Sequence, residues 1–388
     1  MLVYSIVFLL LLFGVFHYDY RKNVFLKKGY YLLVFVVMTA MTALRYRVGG
    51  DSLMYENYFR YLPDLNSFMH FISSDSGLHY QPLYLLFVAA CKTLTPEYSF
   101  YQIVHALTVN VVLFWFIRKH TAYRFTVLFI LYFFLFYFYF TFEIQREILA
   151  ICCFLLAFGS FEKNRWLTYY LFAVAGFFFH ISAFILLLLP LFKLVRFNKT
   201  FVILAVVLGF PLIFMKEFLF GIFEIFFITE GMQSKGDVYA EMEFSIFGLL
   251  SFYFVRVIIN LPFFLQGAKG NHNKSWLLAG VLILSISSQI MVGFDRFLNY
   301  LYLPYIIFVT ESIYSNFGQI KMASYKKNIL ILSIAVNLFF VLGYKVFLDM
   351  NARDRARYQS VFFPYESIFD KQKNPEREKF MIELWDRD

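Results

Sequence analysis

The chain has 388 residues, 61% of them hydrophobic, 23% aromatic and only 16% charged, with a formal net charge of +9. Soluble domains run about half apolar and about a quarter charged, so a surplus of this size faces lipid. That excludes a soluble enzyme, a disordered chain, a disulfide scaffold and a nucleic-acid module, and the positive charge reads first as cytoplasmic Lys/Arg anchoring.

A bilayer crossing takes about 17–25 apolar residues, and helix is the state in which a lone segment satisfies its backbone in lipid. Runs near that length fall at 2–18, 29–44, 98–117, 124–142, 144–161, 166–179, 182–195, 200–215, 244–265, 276–292, 297–314 and 328–347. They predict an all-α polytopic membrane protein of about twelve transmembrane helices. The run Pro82–Leu94 is short and is expected as a re-entrant or amphipathic segment; the alternative is that it spans, with the first basic cluster or the N-terminus on the other side. The first run lacks a positive flank and a small-residue cleavage site, so it reads as a retained span. Residues 1–347 form a single transmembrane domain on this reading, with loop 45–79 and connection 216–243 within it and a tail at 348–388.

Basic loops set the orientation. Arg21, Lys22, Lys27 and Lys28 follow the first run; Arg118, Lys119 and Arg124 follow the third; Lys163 and Arg165 the fifth. Lys193, Arg196 and Lys199, then Lys269 and Lys274, then Lys321, Lys326 and Lys327 continue the alternation. With these loops cytoplasmic, both chain ends, loop 45–79 and the tail lie outside. Arg45, Arg47, Arg60, Arg146, Arg296, Arg353, Arg355 and Arg357 then fall on the outer side, where anchoring does not explain them. Arg256 lies near the middle of 244–265, where an unpaired charge costs several kcal/mol. Guanidinium forks match phosphate and carboxylate oxygens in pairs, so an arginine-rich outer cavity suits an anionic ligand.

Five constellations stand out. Arg45-Tyr46-Arg47-Val48-Gly49-Gly50-Asp51 follows a span; its glycines allow a sharp turn, and Asp51 can cap a helix from Ser52 that carries Tyr55. Either this holds a carboxylate between arginines for a ligand, or it is a capped loop with interfacial aromatics. Glu143, Arg146 and Glu147 are spaced three and four apart, which in one helix sets Glu143 on the face of the other two. His180, in Phe179-His180-Ile181-Ser182, is a candidate base at an outer turn or simply an interfacial histidine. Asp295 and Arg296 open the run at 297, as a local ion pair or as part of the cavity. Last, Phe362 to Phe369 carries aromatics, Pro364, Tyr365 and Glu366 in a form that suits a segment folding back on the bundle, whereas the charges of 370–388 suit disorder.

Cys91 stands alone, and Cys152 and Cys153 point about 100° apart on a helix, a poor pair for a metal. Neither a metal nor a cofactor is expected, since no P-loop, dinucleotide fingerprint, HExxH or GxSxG motif is evident.

Four pieces in order give the chain a family resemblance: Arg45-x-Arg47-Val48-Gly49-x-Asp51-x-x-x-Tyr55, the Arg146 element before a small-residue helix, Phe179-His180-x-Ser182, and Phe363-Pro364-Tyr365-x-Ser367-Ile368-Phe369. The chain resembles the EpsG family of Wzy-type exopolysaccharide and capsule repeat-unit polymerases, with Glu147 where that family is expected to have Gln. The resemblance implies a glycosyltransferase of the bacterial plasma membrane, built like multi-span enzymes that use lipid-linked sugars. Such a protein moves a glycan from undecaprenyl pyrophosphate to a sugar hydroxyl of another lipid-linked unit at the outer face. Its partners would be that lipid-linked oligosaccharide, membrane lipids, and a chain-length regulator and flippase of the same pathway; nucleic acid is not among them. On this basis Arg45, Arg47, Arg146, Arg296 and the deeper Arg256 are assigned to pyrophosphate and Asp51 or His180 to the base. Tyr55, Tyr365, Glu143, Glu147 and Asp295 are assigned to sugar stacking or positioning. Two rival classes are a flippase or transporter of lipid-linked oligosaccharides and a membrane O-acyltransferase that decorates the polymer. Single units left facing the cytoplasm in cells lacking the protein would mark the first; normal-length polymer without acyl groups would mark the second.

Overall fold

The computed structural model describes residues 2–74, 80–215, 246–269, 274–288, 293–318 and 358–385. Among these residues every regular element is helical, and the one β-type pairing is an isolated bridge between Arg45 and Ser367. In chain order the helices are α1 (Leu2–Tyr20), α2 (Lys27–Ala43), α3 (Ser52–Tyr61), α4 (Phe68–Ile72), α5 (Pro82–Leu94) and α6 (Tyr98–His120). Then come α7 (Arg124–Phe133), α8 (Phe136–Glu143), α9 (Gln145–Glu162), α10 (Trp166–Phe179) and α11 (Phe184–Leu188). The last are α12 (Lys199–Leu212), α13 (Gly248–Gly267), α14 (Ser275–Ser287), α15 (Gly293–Gly318) and α16 (Pro375–Trp385).

Three described helices, α1, α6 and α13, are long and apolar enough to cross a bilayer, and α7 with α8 makes a fourth only as a pair bent by 83°. Shorter apolar helices fill much of the remainder, so the described residues do not confirm the count of about twelve spans. The reasons are local. Leu135 takes a left-handed φ of 61° and breaks the run 124–142. Arg146 and Glu147 lie in the first turn of α9 and Glu162 at its end. α2 is 17 residues long and opens on two lysines. The run 328–347 and the connection 216–243 lie outside the described residues.

The chain divides into two compact units, Met1–Ala183 with Val341–Asp388, and Phe184–Phe340. In the first unit, polar side chains within the bundle find backbone partners, as groups removed from water must. α2 and α6 run antiparallel: Tyr31 donates to the Phe114 carbonyl at 2.8 Å, Asn110 to Thr42 Oγ1 at 3.1 Å, and Gln102 to the Ala43 carbonyl at 2.7 Å. Tyr137 ties α8 to both, donating to Asn110 Oδ1 at 2.8 Å and to the Met38 carbonyl at 3.1 Å. α1 packs on α7 at Gly14, where a β-carbon would fall 2.6 Å from the Phe125 ring.

These pairings separate two ends. At one, Lys27 bridges Asp19 at 3.3 Å and the Ala122 carbonyl at 3.1 Å, and Asp19 caps α7 through Thr126 N at 2.8 Å. The basic clusters near 21–28, 118–124 and 163–165 belong to this end. At the other lie the start of α1, the turn 44–51 and the tail: Tyr4 donates to the Phe362 carbonyl at 2.7 Å and Tyr46 N to the Glu366 carbonyl at 2.7 Å.

α5 stays at this second end. α2 finishes here, and α6 begins here, because Gln102 also donates to the Arg45 carbonyl at 2.7 Å. The start of α5 packs Tyr84 beside Tyr55, and its last turn sends Lys92 Nζ to the carbonyls of Phe59 and Arg60, each at 2.9 Å. Both ends of α5 therefore meet α3.

Within the second unit, α14 and α15 form a hairpin. Lys274 and Glu311 pair at 3.1 Å, and Tyr305 donates to Asn260 Oδ1 of α13 at 2.9 Å.

Candidate functional site

The turn after α2 is built on Gly49. Its φ is +110°, and a β-carbon there would lie 2.8 Å from Phe142 Cβ and 3.1 Å from the Phe142 carbonyl oxygen, so only glycine fits. Arg45 is buried beneath the turn, 1% exposed. Its guanidinium donates to the Val48 carbonyl at 3.2 Å and to the Thr42 carbonyl, and lies 4.6 Å over the Phe142 ring. Burial pulls its pKa down. Arg45 thus knits the turn to α2 and α8.

Arg47 is engaged by two carboxylates. It forms a fork with Glu56 at 2.7 and 3.2 Å and reaches Glu378 at 2.7 Å, while Arg60 approaches Glu56 at 2.8 Å. The hydrogen bonds that Arg47 donates to Glu56 lead in holding its guanidinium protonated, with Glu378 adding to them.

Past the turn, α3 begins at Ser52 as its sequence predicts, but the Asp51 side chain makes no capping hydrogen bond to it. The Asp51 carboxylate instead lies where it acts electrostatically on the Tyr55 hydroxyl, one turn on. Tyr55 is buried, and burial pushes its phenol pKa up. The Arg146 guanidinium acts on the same hydroxyl from the first turn of α9. Arg146 also lies 5.9 Å over the Tyr84 ring, and its Nε is buried with no hydrogen-bond partner. The groups that act on its charge are the hydroxyls of Tyr55, Tyr84 and Tyr58. A cation at a helix N-terminus opposes the helix dipole by about 0.3–1 kcal/mol, and free N–H groups and guanidinium there together favour an anion.

Glu143 does not share one helix with Arg146 and Glu147 as their spacing suggested. α8 ends at Glu143, Ile144 leaves helical geometry at ψ 54°, and α9 starts afresh at Gln145. Both glutamates are buried. His105 of α6 pins this break by a 2.9 Å bond to the Gln145 carbonyl, and Gln145 Nε2 donates to the Tyr98 hydroxyl at 3.2 Å.

His180 closes α10, and the 3-10 turn Ile181–Ala183 packs on α9. Because α9 and α10 form an antiparallel hairpin, His180 lies at the Arg146 end. Its Nδ1 accepts from Ser182 N at 3.2 Å and contacts Ser182 Oγ at 2.7 Å. Assigning the tautomer from these bonds places the proton of the neutral ring on Nε2.

Tyr365 donates to the Met41 carbonyl at 3.0 Å, so its hydroxyl braces the tail on α2. The charges after residue 370 do not leave the chain disordered: α16 runs from Pro375 to Trp385 with Phe380 and Met381 buried. Arg353, Arg355 and Arg357 lie outside the described residues.

The second unit holds the other predicted residues. Arg256 lies in a π-helical stretch, Phe254–Ile258. It forks onto Asp295, with Nη2 to Oδ2 at 2.9 Å, and donates to Ser288 Oγ at 3.1 Å. Asp295 is therefore partnered by Arg256 across two helices, which the local Asp295–Arg296 reading did not foresee. Arg296 is half-buried in the first turn of α15.

The structure thus gathers Asp51, Tyr55 and Arg146, with Arg45 and Arg47 behind them, and keeps Arg256, Asp295 and Arg296 in the other unit. Sequence reasoning missed Tyr84, Gln102, His105 and the acids that neutralise Arg47. A signal was present for two of these: Tyr98, Gln102 and His105 recur at four and three along an apolar span, a polar stripe that lipid would not tolerate.

A family model described as the EpsG family matches residues 28–367, nearly the whole chain. No curated protein and no solved structure matches the chain.

Proposed function

The chain belongs to the EpsG family, and we propose that it polymerises polysaccharide by moving a glycan from undecaprenyl pyrophosphate to a sugar hydroxyl of another lipid-linked unit. Membership supports a polymerase-like, glycosyltransferase-like role in general, and the apolar helices fit a membrane protein. On this reading the protein spans the bacterial plasma membrane with the turn 44–51 and the tail outside.

In the reaction an acceptor hydroxyl oxygen attacks the anomeric carbon of the donor. The bond from that carbon to the pyrophosphate oxygen breaks, and its electron pair leaves with undecaprenyl pyrophosphate. The acceptor proton passes to a base. Arg146 meets the charge growing on the leaving oxygen; preorganised donors in a poorly hydrated site are worth about 3–4 kcal/mol each in such steps. Asp51 is the favoured base, because a carboxylate needs no tautomer change to accept a proton. His180 in its assigned tautomer presents Nε2–H and acts as a donor to the substrate. Tyr55 lies between Asp51 and Arg146 and sets their spacing. Arg45 and Arg47 support the turn and add positive potential, while Arg256 and Arg296 bind pyrophosphate only if a ligand displaces or joins their present partners.

The observation that carries this reading is Arg146, a cation with a buried unpartnered Nε, in the first turn of a helix and beside a carboxylate-flanked tyrosine. The test uses a deletion host carrying Asp51→Asn, His180→Ala or wild type. Loss of long polymer with single units displayed outside supports the reading. Single units retained on the cytoplasmic side, or unacylated polymer of normal length, would replace it with the flippase or the acyltransferase.

A further inference from the structure

The match to the family ends at residue 367, yet α16 beyond it closes over the turn that carries Asp51. Its inner face is Arg377, Phe380 and Met381, three and four apart and all buried. Arg377 is 1% exposed with its fork fully engaged. Nε donates to the Ser360 carbonyl at 3.0 Å, Nη1 to the Arg47 carbonyl at 3.3 Å and Nη2 to the Pro364 carbonyl, while Nη1 faces the Glu366 carboxylate as an ion pair at 3.4 Å. The neighbouring Glu378 holds the Arg47 side chain. Arg47 is therefore gripped by backbone and side chain at a φ of +48°, a conformation that a β-carbon disfavours. Four residues on, the same turn delivers Asp51.

A buried cation on carbonyls is a poor source of stability, since apolar residues of similar volume commonly do as well. What it does supply is direction, because a planar fork satisfies several acceptors in one geometry only. We propose that Arg377 is a positioning residue for glycan transfer: it fixes the Arg47–Asp51 turn, and through it the Asp51–Tyr55–Arg146 group, without touching substrate. This rests on the polymerase reading. Lysine cannot replace it, because one ammonium cannot serve acceptors spread along the fork.

Two experiments on the full-length protein test this. First, Arg377→Lys and the pair Arg377→Met with Glu366→Gln are assayed with a lipid-linked donor. The expected result is near-normal protein level, kcat lower by about ten- to a hundredfold and a KM within about twofold of wild type. Wild-type kcat in both variants overturns the proposal. Second, Ser52→Cys with Met381→Cys is oxidised in membranes; Ser52 Oγ and Met381 Sδ lie 3.8 Å apart. A disulfide with activity retained supports a docked helix as the working state. No disulfide overturns the docking, whatever the protein catalyses. A disulfide that abolishes turnover overturns the positioning role, since α16 would then have to leave. A disulfide in a protein whose wild type makes no polymer removes the role together with the polymerase reading, while the docking stands.

Discussion

Arg146 occupies a position that stability alone does not favour. It places a positive charge at the positive end of α9, against tyrosines, with an unpartnered Nε. Arg146→Lys should keep the charge and lose the fork, reducing polymer output by about ten- to a hundredfold at unchanged protein level, or about 1.4–2.7 kcal/mol. Polymer length on a gel and immunoblotting of the membrane fraction check it. Gly49→Ala should instead act through folding. A left-handed non-glycine residue costs about 1–2 kcal/mol, and the contact at Phe142 adds to it. Its signature is a lower melting temperature and lower abundance, with residual activity scaling to protein present. The residues Gly49, Asp51 and Tyr55 were legible as a group because their spacing lies within one turn and one helix. Arg45 and Arg47 were legible as unusual, but their partners were not. Val48, Glu56, Phe142 and Glu378 come from four different elements, and one sequence carries no record of which distant element returns to which turn.

Among the elements, the helical character of the apolar runs followed from length, and α5 was readable as a separate helix of 13 residues. The break at Leu135 was not. The run from 124 to 142 is mostly apolar and aromatic, with no proline or glycine to mark the bend at the left-handed Leu135. The run at 144–161 meets α9 to within a residue, but the separation of Glu143 from that helix was not legible, because Ile144, an unremarkable residue, carries the discontinuity. The helical tail was missed because its charges look solvated, whereas its buried residues recur at three and four and Arg377 is one of them. If α5 does not cross, one expectation follows directly. Cysteines at Leu94 and Tyr61, both exposed, should react with an impermeant maleimide from the same side of the membrane. Labelling from opposite sides would mean that α5 crosses.

For the molecule as a whole, the +9 charge resolves into distinct populations. In the first unit, the lysine-rich turns gather at one end, and the arginines that grip the turn, the tail and the tyrosines gather at the other. That division was legible from the alternation of basic loops alone. In the second unit, Arg256 was legible as a charge that must be matched, but not its match. Asp295→Asn leaves that guanidinium half-satisfied and should destabilise the protein by about 1–3 kcal/mol, discounted because Asp295 is partly exposed. Thermal melts in detergent check this, and Arg256→Leu with Asp295→Leu should recover part of the loss.

The central claim is that the group at Asp51 and Arg146 drives transfer from a polyprenyl pyrophosphate. Its most direct measurement uses the purified protein in liposomes with an undecaprenyl-pyrophosphate-linked repeat unit, following polymer and released lipid together. The account predicts one undecaprenyl pyrophosphate released for each glycosidic bond formed, with both products reduced in parallel by Arg146→Lys. No polymer from the wild type, or equal release and polymer from Arg146→Lys, would contradict it.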